Sequence, residues 1–285
     1  MVPAVVLTND WFSGLTPAYS KYGHFGDTFK GTTFFHIVHN LEAGFEGRLS
    51  PVVNEGTLEH IHKLPANCLI DPYWRAKVIN PSRCALMMSD QLGTVSPSYR
   101  KDLVETSPMA PLLNQHKNPF AFPNGIFREA RLKALVETAG KSHLYAKAAL
   151  QKKYFNFENA DYSIPLYSFV GRITEQKGVL HILDATETLI LRASGKINIL
   201  VGGMGNIKDP YVIKCVNKIN YLRSKFPHIF WANPNEFFTD GPLVNLGSDF
   251  GLMPSLFEPG GISNMSSSLL GLPSLPSKQE DLKTL

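Results

Sequence analysis

The sequence predicts an α/β protein made of two units, each with a parallel sheet. Two observations carry this. Short apolar runs bounded by Gly, Pro or Asn alternate with longer stretches whose apolar residues recur at helical spacing. A polar stretch ending in proline, Asn156 to Pro165, divides the earlier runs from the later ones.

The first unit is expected over residues 1–160. Val5-Val6-Leu7 reads as a buried strand, Trp11 to Lys21 as a helix, and Thr33 to His39 as a second strand. Residues 40–82 are rich in Pro, Gly and His and only weakly periodic, so loops with short helices are expected there. Lys141 to Phe155 reads as a basic, Ala-rich helix. The second unit is expected over residues 161–285. Its strands are Leu166 to Val170, Ile197 to Val201, Ile229 to Ala232 and Phe250 to Met253. Gly178 to Ala193 puts Val179, Ile182, Leu183, Leu189 and Ile190 at helical spacing. Asp209 to Phe226 does the same with Val212, Val216, Ile219 and Leu222. Leu272-Pro273-Ser274-Leu275 is strand-like. The chain opens on a strand and stops soon after another, so both units are expected to be incomplete.

Composition narrows the function. A chain of 285 residues, 44% hydrophobic and 18% charged, can bury a core without disulfide or metal staples. A net charge of +4 is too mild to suggest a nucleic-acid partner. No apolar run approaches the roughly 18 residues of a membrane span. No basic residues precede Ala4-Val5-Val6-Leu7, so a secretory leader is not expected. Cys68, Cys84 and Cys215 are odd in number and show no C-x-x-C spacing. A reducing compartment, the cytoplasm, fits them best.

The richest segment for chemistry is Val170-Gly171-Arg172-Ile173-Thr174-Glu175-Gln176-Lys177-Gly178. Two cations sit in the turn between a predicted strand and a predicted helix. Ligands of open α/β sheets bind at that end of the strands. The helix adds free N–H groups and a positive dipole end. Arg172 can fork onto two phosphate oxygens while Lys177 adds a point charge. A diphosphate fits this turn, and a solvated charged turn explains the pair equally well. Gly202-Gly203-Met204-Gly205 lacks the full G-x-G-x-x-G pattern and reads as a plain turn. Glu258 lies in the loop Phe257-Glu258-Pro259-Gly260-Gly261-Ile262, ahead of a predicted helix, Ser263 to Leu270. It could accept hydrogen bonds from sugar hydroxyls or simply complement that helix's dipole. His36 and His39 face opposite sides of a strand and cannot share a metal. His39 and Asn40 end that strand, where side chains reach a binding cleft. Asp10-Trp11 suits carbohydrate, and an N-cap aspartate beside a core tryptophan explains it as well.

These segments together resemble the glycogen and starch synthases of glycosyltransferase family 5. Asn9-Asp10-Trp11 with Gly14-Leu15 and Pro17 resembles H-D-W-x-x-x-L-x-P, with Asn9 at the histidine. His36-Ile37-Val38-His39-Asn40-Leu41 and Gly47 resemble T-I-H-N-L-x-x-x-G. Thr94-Val95-Ser96-Pro97-Ser98-Tyr99 resembles T-V-S-P-x-Y. Pro123-Asn124-Gly125-Ile126 resembles G-I-x-N-G-I-D, with Phe127 at the aspartate. Gly171-Arg172 through Gln176-Lys177-Gly178 matches G-R-L-x-x-Q-K-G. Gly247-Ser248-Asp249, Met253-Pro254-Ser255 and Phe257-Glu258-Pro259 resemble G-S-D-x-x-L-M-P-S-R-F-E-P-C-G-L, with Leu256 at the arginine and Gly260 at the cysteine.

The resemblance implies the GT-B fold, two Rossmann-like domains facing a cleft. It implies retaining transfer of glucose from ADP-glucose or UDP-glucose to the non-reducing end of an α-1,4-glucan, with no cofactor and no metal. Arg172 and Lys177 would hold the diphosphate, and Glu258 the transferred glucose. His39 and Asn40 would line the sugar site, with Asp10 on the acceptor side. Gly261 and Ile262 would offer backbone N–H groups. The family's K-x-G-G-L loop is not found before Val5, and its T-G-G-L-x-D-T loop is unrecognisable in Ser277 to Thr284. Truncation at both ends is therefore expected. The alternative expectation is a catalytically inactive relative that binds glucan or a synthase partner. A missing leader would also leave a plastid location open.

Overall fold

The computed structural model describes residues 2–42, 44–50, 52–53, 56–57, 62–116, 119–130, 133, 137, 142–235, 238–260 and 272–276. The chain divides into two compact units, Met1–Asn124 and Gly125–Leu285.

Unit 1 carries a four-stranded sheet in the order β1-β2-β5-β6. Its strands are β1 (Val5–Asn9), β2 (Thr33–Val38), β5 (Gln91–Thr94) and β6 (Phe120–Ala121), every pair parallel. A two-residue pair, β3 (Val52–Val53) and β4 (Gly56–Thr57), is antiparallel. Alternation along β2 buries Phe34, His36 and Val38 on one face. The opposite face holds Phe35 in ring contact with Phe120 and Phe122, both about half exposed. The expected buried strand at Val5 to Leu7 is an edge strand instead. Val5 is 54% and Leu7 61% exposed, because both point to that second face.

The expected helix Trp11 to Lys21 is broken. A 3-10 turn, Trp11–Ser13, is followed by α1 (Thr16–Lys21). The break lies at Gly14, where a Cβ would stand 2.3 Å from the Pro81 carbonyl oxygen. Short helices α2 (Ala66–Leu69) and α3 (Pro81–Met88) complete the core around Ala18, Cys68, Leu69, Ile79 and Cys84. Helix α3 starts on a proline after Asn80, whose side chain accepts from the Arg83 N–H. Helices α4 (Pro97–Thr106) and α5 (Ala110–Leu113) follow β5.

In unit 2, α6 (His143–Phe155) is capped by Ser142. Its five-stranded sheet has the order β11-β10-β7-β8-β9, all parallel. The strands are β7 (Leu166–Val170), β8 (Asn198–Gly202), β9 (Phe230–Ala232), β10 (Phe250–Met253) and β11 (Ser274–Pro276). Between them run α7 (Val179–Arg192), α8 (Pro210–Lys225) and α9 (Gly241–Gly247). Every residue of β8 is buried, as a strand covered on both faces must be. Helices α7 and α8 bury Val179, Leu183, Ile190, Cys215 and Ile219 against one face. Leu150, Phe155, Leu166, Leu200 and Val244 form the core on the other. Each such side chain contributes about 1.5–3 kcal/mol of hydrophobic burial.

The division between units falls at Asn124 and Gly125, ahead of the boundary expected near residue 160. Helix α6 joins the second unit because Leu150 and Phe155 pack into its core. The polar stretch that suggested a linker is tied down. The buried Gln151 amide donates to the Asp161 carbonyl at 2.8 Å, and its carbonyl oxygen accepts from the Asp161 N–H at 3.0 Å. No helix of the described residues is long and apolar enough to cross a membrane.

Candidate active site

Three turns at the C-terminal ends of β7, β8 and β10 are locked together in unit 2. Gly171 N–H donates to the Gly202 carbonyl, and Ile173 N–H to the Met204 carbonyl. Gly203 has φ +152, and a Cβ there would lie 1.8 Å from the Gly171 oxygen. The Gly202-Gly203-Met204-Gly205 turn therefore serves close backbone approach. The third turn is joined through Gln176. Leu256 N–H donates to the Gln176 carbonyl at 2.8 Å, and the Gln176 side-chain amide donates to the Phe257 carbonyl at 3.0 Å. Gly178, at φ +64, starts α7 where a Cβ would sit 2.1 Å from the Pro254 oxygen.

This scaffold brings Lys177 and Glu258 together. The Lys177 ammonium pairs with Glu258 Oε2, and each side chain is 15% exposed. Ser255 Oγ donates to the same carboxylate oxygen at 3.3 Å. Arg172 stands exposed in the same turn as Lys177. The cluster has a cation and a carboxylate in contact, at the sheet end where ligands bind, just ahead of a helix N-terminus. An anion arriving here would compete with Glu258 for Lys177. A hydroxylated ligand could in turn accept from Lys177 and donate to Glu258.

Unit 1 gathers the other expected residues. Asp10 does not cap the following turn. Its Oδ1 accepts the His39 N–H at 2.8 Å, and the residue is held at φ +46. His39 Nε2 lies 3.0 Å from Asn9 Oδ1, so His39 donates its Nε2 proton to that amide oxygen. Asn9 thus aims His39, although the sequence marked it only as a departure. Asn40 Oδ1 accepts from the Glu42 N–H at 2.9 Å. His36 turns the other way, wholly buried, with Nδ1 2.9 Å from Thr8 Oγ1. Burial lowers its pKa to about 4, with His39 adding a smaller effect. The two histidines thus bond to different partners, Thr8 and Asn9.

Tyr99 closes the Ser96-Pro97-Ser98-Tyr99 run. Its hydroxyl accepts the Leu41 N–H at 2.7 Å and so fastens the His39-Asn40-Leu41 segment. Ser96 caps α4 by accepting the Tyr99 N–H, with Pro97 at the first helical position. The S-P-x-Y spacing was the available signal. Gly261, Ile262, the helix expected over Ser263 to Leu270, and Ser277 to Thr284 lie outside the described residues.

Residues 1–115 match the starch synthase catalytic domain family. The chain is 26% identical to the glycogen synthase of Treponema denticola over 95% of its own length and 55% of the relative's. It is 28% identical to the glycogen synthase of Nitrosospira multiformis, covering 96% of the chain and 53% of the relative. The chain therefore spans about half the length of these relatives. Among solved structures, the catalytic domain of starch synthase IV from Arabidopsis thaliana, bound to ADP and acarbose, superposes with a TM-score of 0.78 at 19% identity, over 99% of this chain and 60% of that one. Sucrose-phosphate synthase from Thermosynechococcus elongatus superposes with a TM-score of 0.57 at 13% identity, over 96% and 56%. The fold is thus the GT-B fold of the starch synthase catalytic domain.

Proposed function

We propose, on the premise that this chain is of the glycogen and starch synthase type over nearly its whole length, that it takes part in retaining glucosyl transfer. The donor is ADP-glucose or UDP-glucose, and the acceptor is the non-reducing end of an α-1,4-glucan. The observation that carries this reading is the Lys177–Glu258 pair, seated in one frame with Arg172. Arg172 and Lys177 hold the diphosphate and offset the charge that grows as the nucleotide departs, which is electrostatic catalysis. Once phosphate engages Lys177, Glu258 is released to accept hydrogen bonds from the glucose hydroxyls. His39 and Asn40 serve the sugar, and Asp10 positions His39 through its backbone N–H. Gly261 and Ile262 are assigned backbone donors to the same ligand. No protein nucleophile is assigned, because retention is explained by front-face attack within an ion pair. The ADP found with starch synthase IV supports a nucleoside diphosphate ligand.

The test is titration with ADP and UDP. Lys177→Ala should weaken diphosphate binding about tenfold or more, since a charge-assisted hydrogen bond contributes roughly 1.5–3 kcal/mol and 1.4 kcal/mol is tenfold. Unchanged affinity in both Lys177→Ala and Arg172→Ala would refute the reading. A second reading, glucan binding without transfer, is favoured by Leu256, an uncharged side chain at the family's arginine. Radiolabelled glucose transfer to glycogen separates the two.

A further inference from the structure

Unit 2 has an open cleft of about 510 Å³ whose lining includes His143, Lys147, Tyr162, Asn245, Ser248 and Asp249. Its size is that of a small-molecule site. Pro165 and Phe250, at the N-terminal ends of β7 and β10, also line it. Arg172, Lys177 and Glu258 follow the opposite ends of those strands. At about 3.3 Å per residue, the length of β7 sets the two places ~16 Å apart.

The charged groups of the cleft are already matched. The Lys147 side chain is 3% exposed, pairs with Asp249 Oδ2 at 2.7 Å and donates to the Tyr162 carbonyl at 3.1 Å. Asp249 Oδ2 also accepts the Leu166 N–H at 2.7 Å. The His143 ring nitrogens face the Leu246 carbonyl at 2.7 Å and Asp249 Oδ1 at 3.2 Å. The Lys147 ammonium and the Asp249 carboxylate compensate each other within the cleft, which leaves its hydroxyl, amide and ring groups to meet a ligand.

What it offers such a ligand is polar and aromatic. The Ser248 side chain is buried, the residue 3% exposed, and its hydroxyl has no hydrogen-bond partner among the described residues. A buried hydroxyl in that state is unfavourable unless a ligand or water satisfies it. Asn245 adds an amide that both donates and accepts. Tyr162, half exposed, adds a ring face. Hydroxyl, amide and ring face together match the hydroxyls and C–H face of a sugar.

We propose that this cleft binds a glucosyl stretch of the α-1,4-glucan, away from the transfer site, as an anchor for the polymer. The proposal rests on the glucan reading above. An anchored polymer would keep its chain ends near the enzyme at a raised effective concentration.

Hydrogen exchange of the whole chain is measured with maltoheptaose, with ADP and with inorganic phosphate. Maltoheptaose should slow exchange in 158–166 and 244–250, and ADP should not. Ser248→Ala and Tyr162→Ala should each weaken that protection about tenfold, or about 1.4 kcal/mol, with unchanged melting temperature and ADP affinity. Absence of the protection, its persistence in both variants, or its appearance with phosphate alone would overturn the proposal. Lost ADP binding with the protection intact would count against the transferase reading and support the cleft. Intact ADP binding without the protection would count against the cleft alone.

Discussion

Replacing Gly178 by alanine should loosen the candidate site from a distance. Gly178 sits at φ +64, and an added Cβ would fall 2.1 Å from the Pro254 carbonyl oxygen. Two effects add. A left-handed alanine costs about 1–2 kcal/mol. Forcing a side-chain atom against backbone costs typically another ~1–3 kcal/mol. Gly195 separates them, because it has φ +75 while its nearest neighbour, Ile229 Cδ1, lies at 3.7 Å. Gly195→Ala should therefore lose only the first amount. Urea unfolding of both variants, at equal m-values, measures the gap, expected to be at least ~1 kcal/mol. The shift of Pro254 also moves the turn that carries Glu258. ADP affinity should fall in Gly178→Ala and stay level in Gly195→Ala. Equal destabilisation of the two variants, with equal ADP affinity, would refute the account of this turn.

Two further outcomes are expected. Tyr99→Phe removes the acceptor of the Leu41 N–H in a buried setting, at about 1–3 kcal/mol; the Leu41 amide should exchange faster, and an unchanged rate would remove Tyr99 from the support of His39. Stability should also depend on His36, which is neutral in the fold with its pKa lowered to about 4 from 6.5. The unfolded chain takes up the proton first, so this contribution is full above pH 6.5 and is lost as pH falls toward 4, by roughly 3 kcal/mol. Denaturant titrations across that window should show a flatter slope in His36→Leu, and an identical slope would show that His36 is not the group responsible.

The second sheet was legible because its strands are covered on both faces. Ile199, Leu200 and Val201 form a continuous apolar run, and α7 and α8 carry their stripes at helical spacing. The first sheet was harder to read. Strand β5 is Gln-Leu-Gly-Thr, too short and too polar to stand out, and α3 is buried through Pro, Ser and Arg as well as apolar residues. The boundary expected near 160 rests on a polar stretch that looks like a linker in the sequence, whereas in the structure Gln151 and Lys147 hold its backbone. At the site, the charged residues were visible in the sequence. Their supports, Tyr99, Asn9 and Ser255, act across long sequence separations or through single hydrogen bonds that carry no periodicity.

The Gln176 contacts have a consequence for how this protein can change. The Leu256 amide and the Phe257 carbonyl make their bonds to Gln176 with main-chain atoms. Those bonds are indifferent to which side chain position 256 carries. Leucine there, where the motif that this segment resembles has arginine, leaves both main-chain bonds in place and changes only the side chain they display. Position 256 is thus an interchangeable fitting on a fixed mount: its identity can drift, or be redesigned, while the carboxylate two residues on keeps its address.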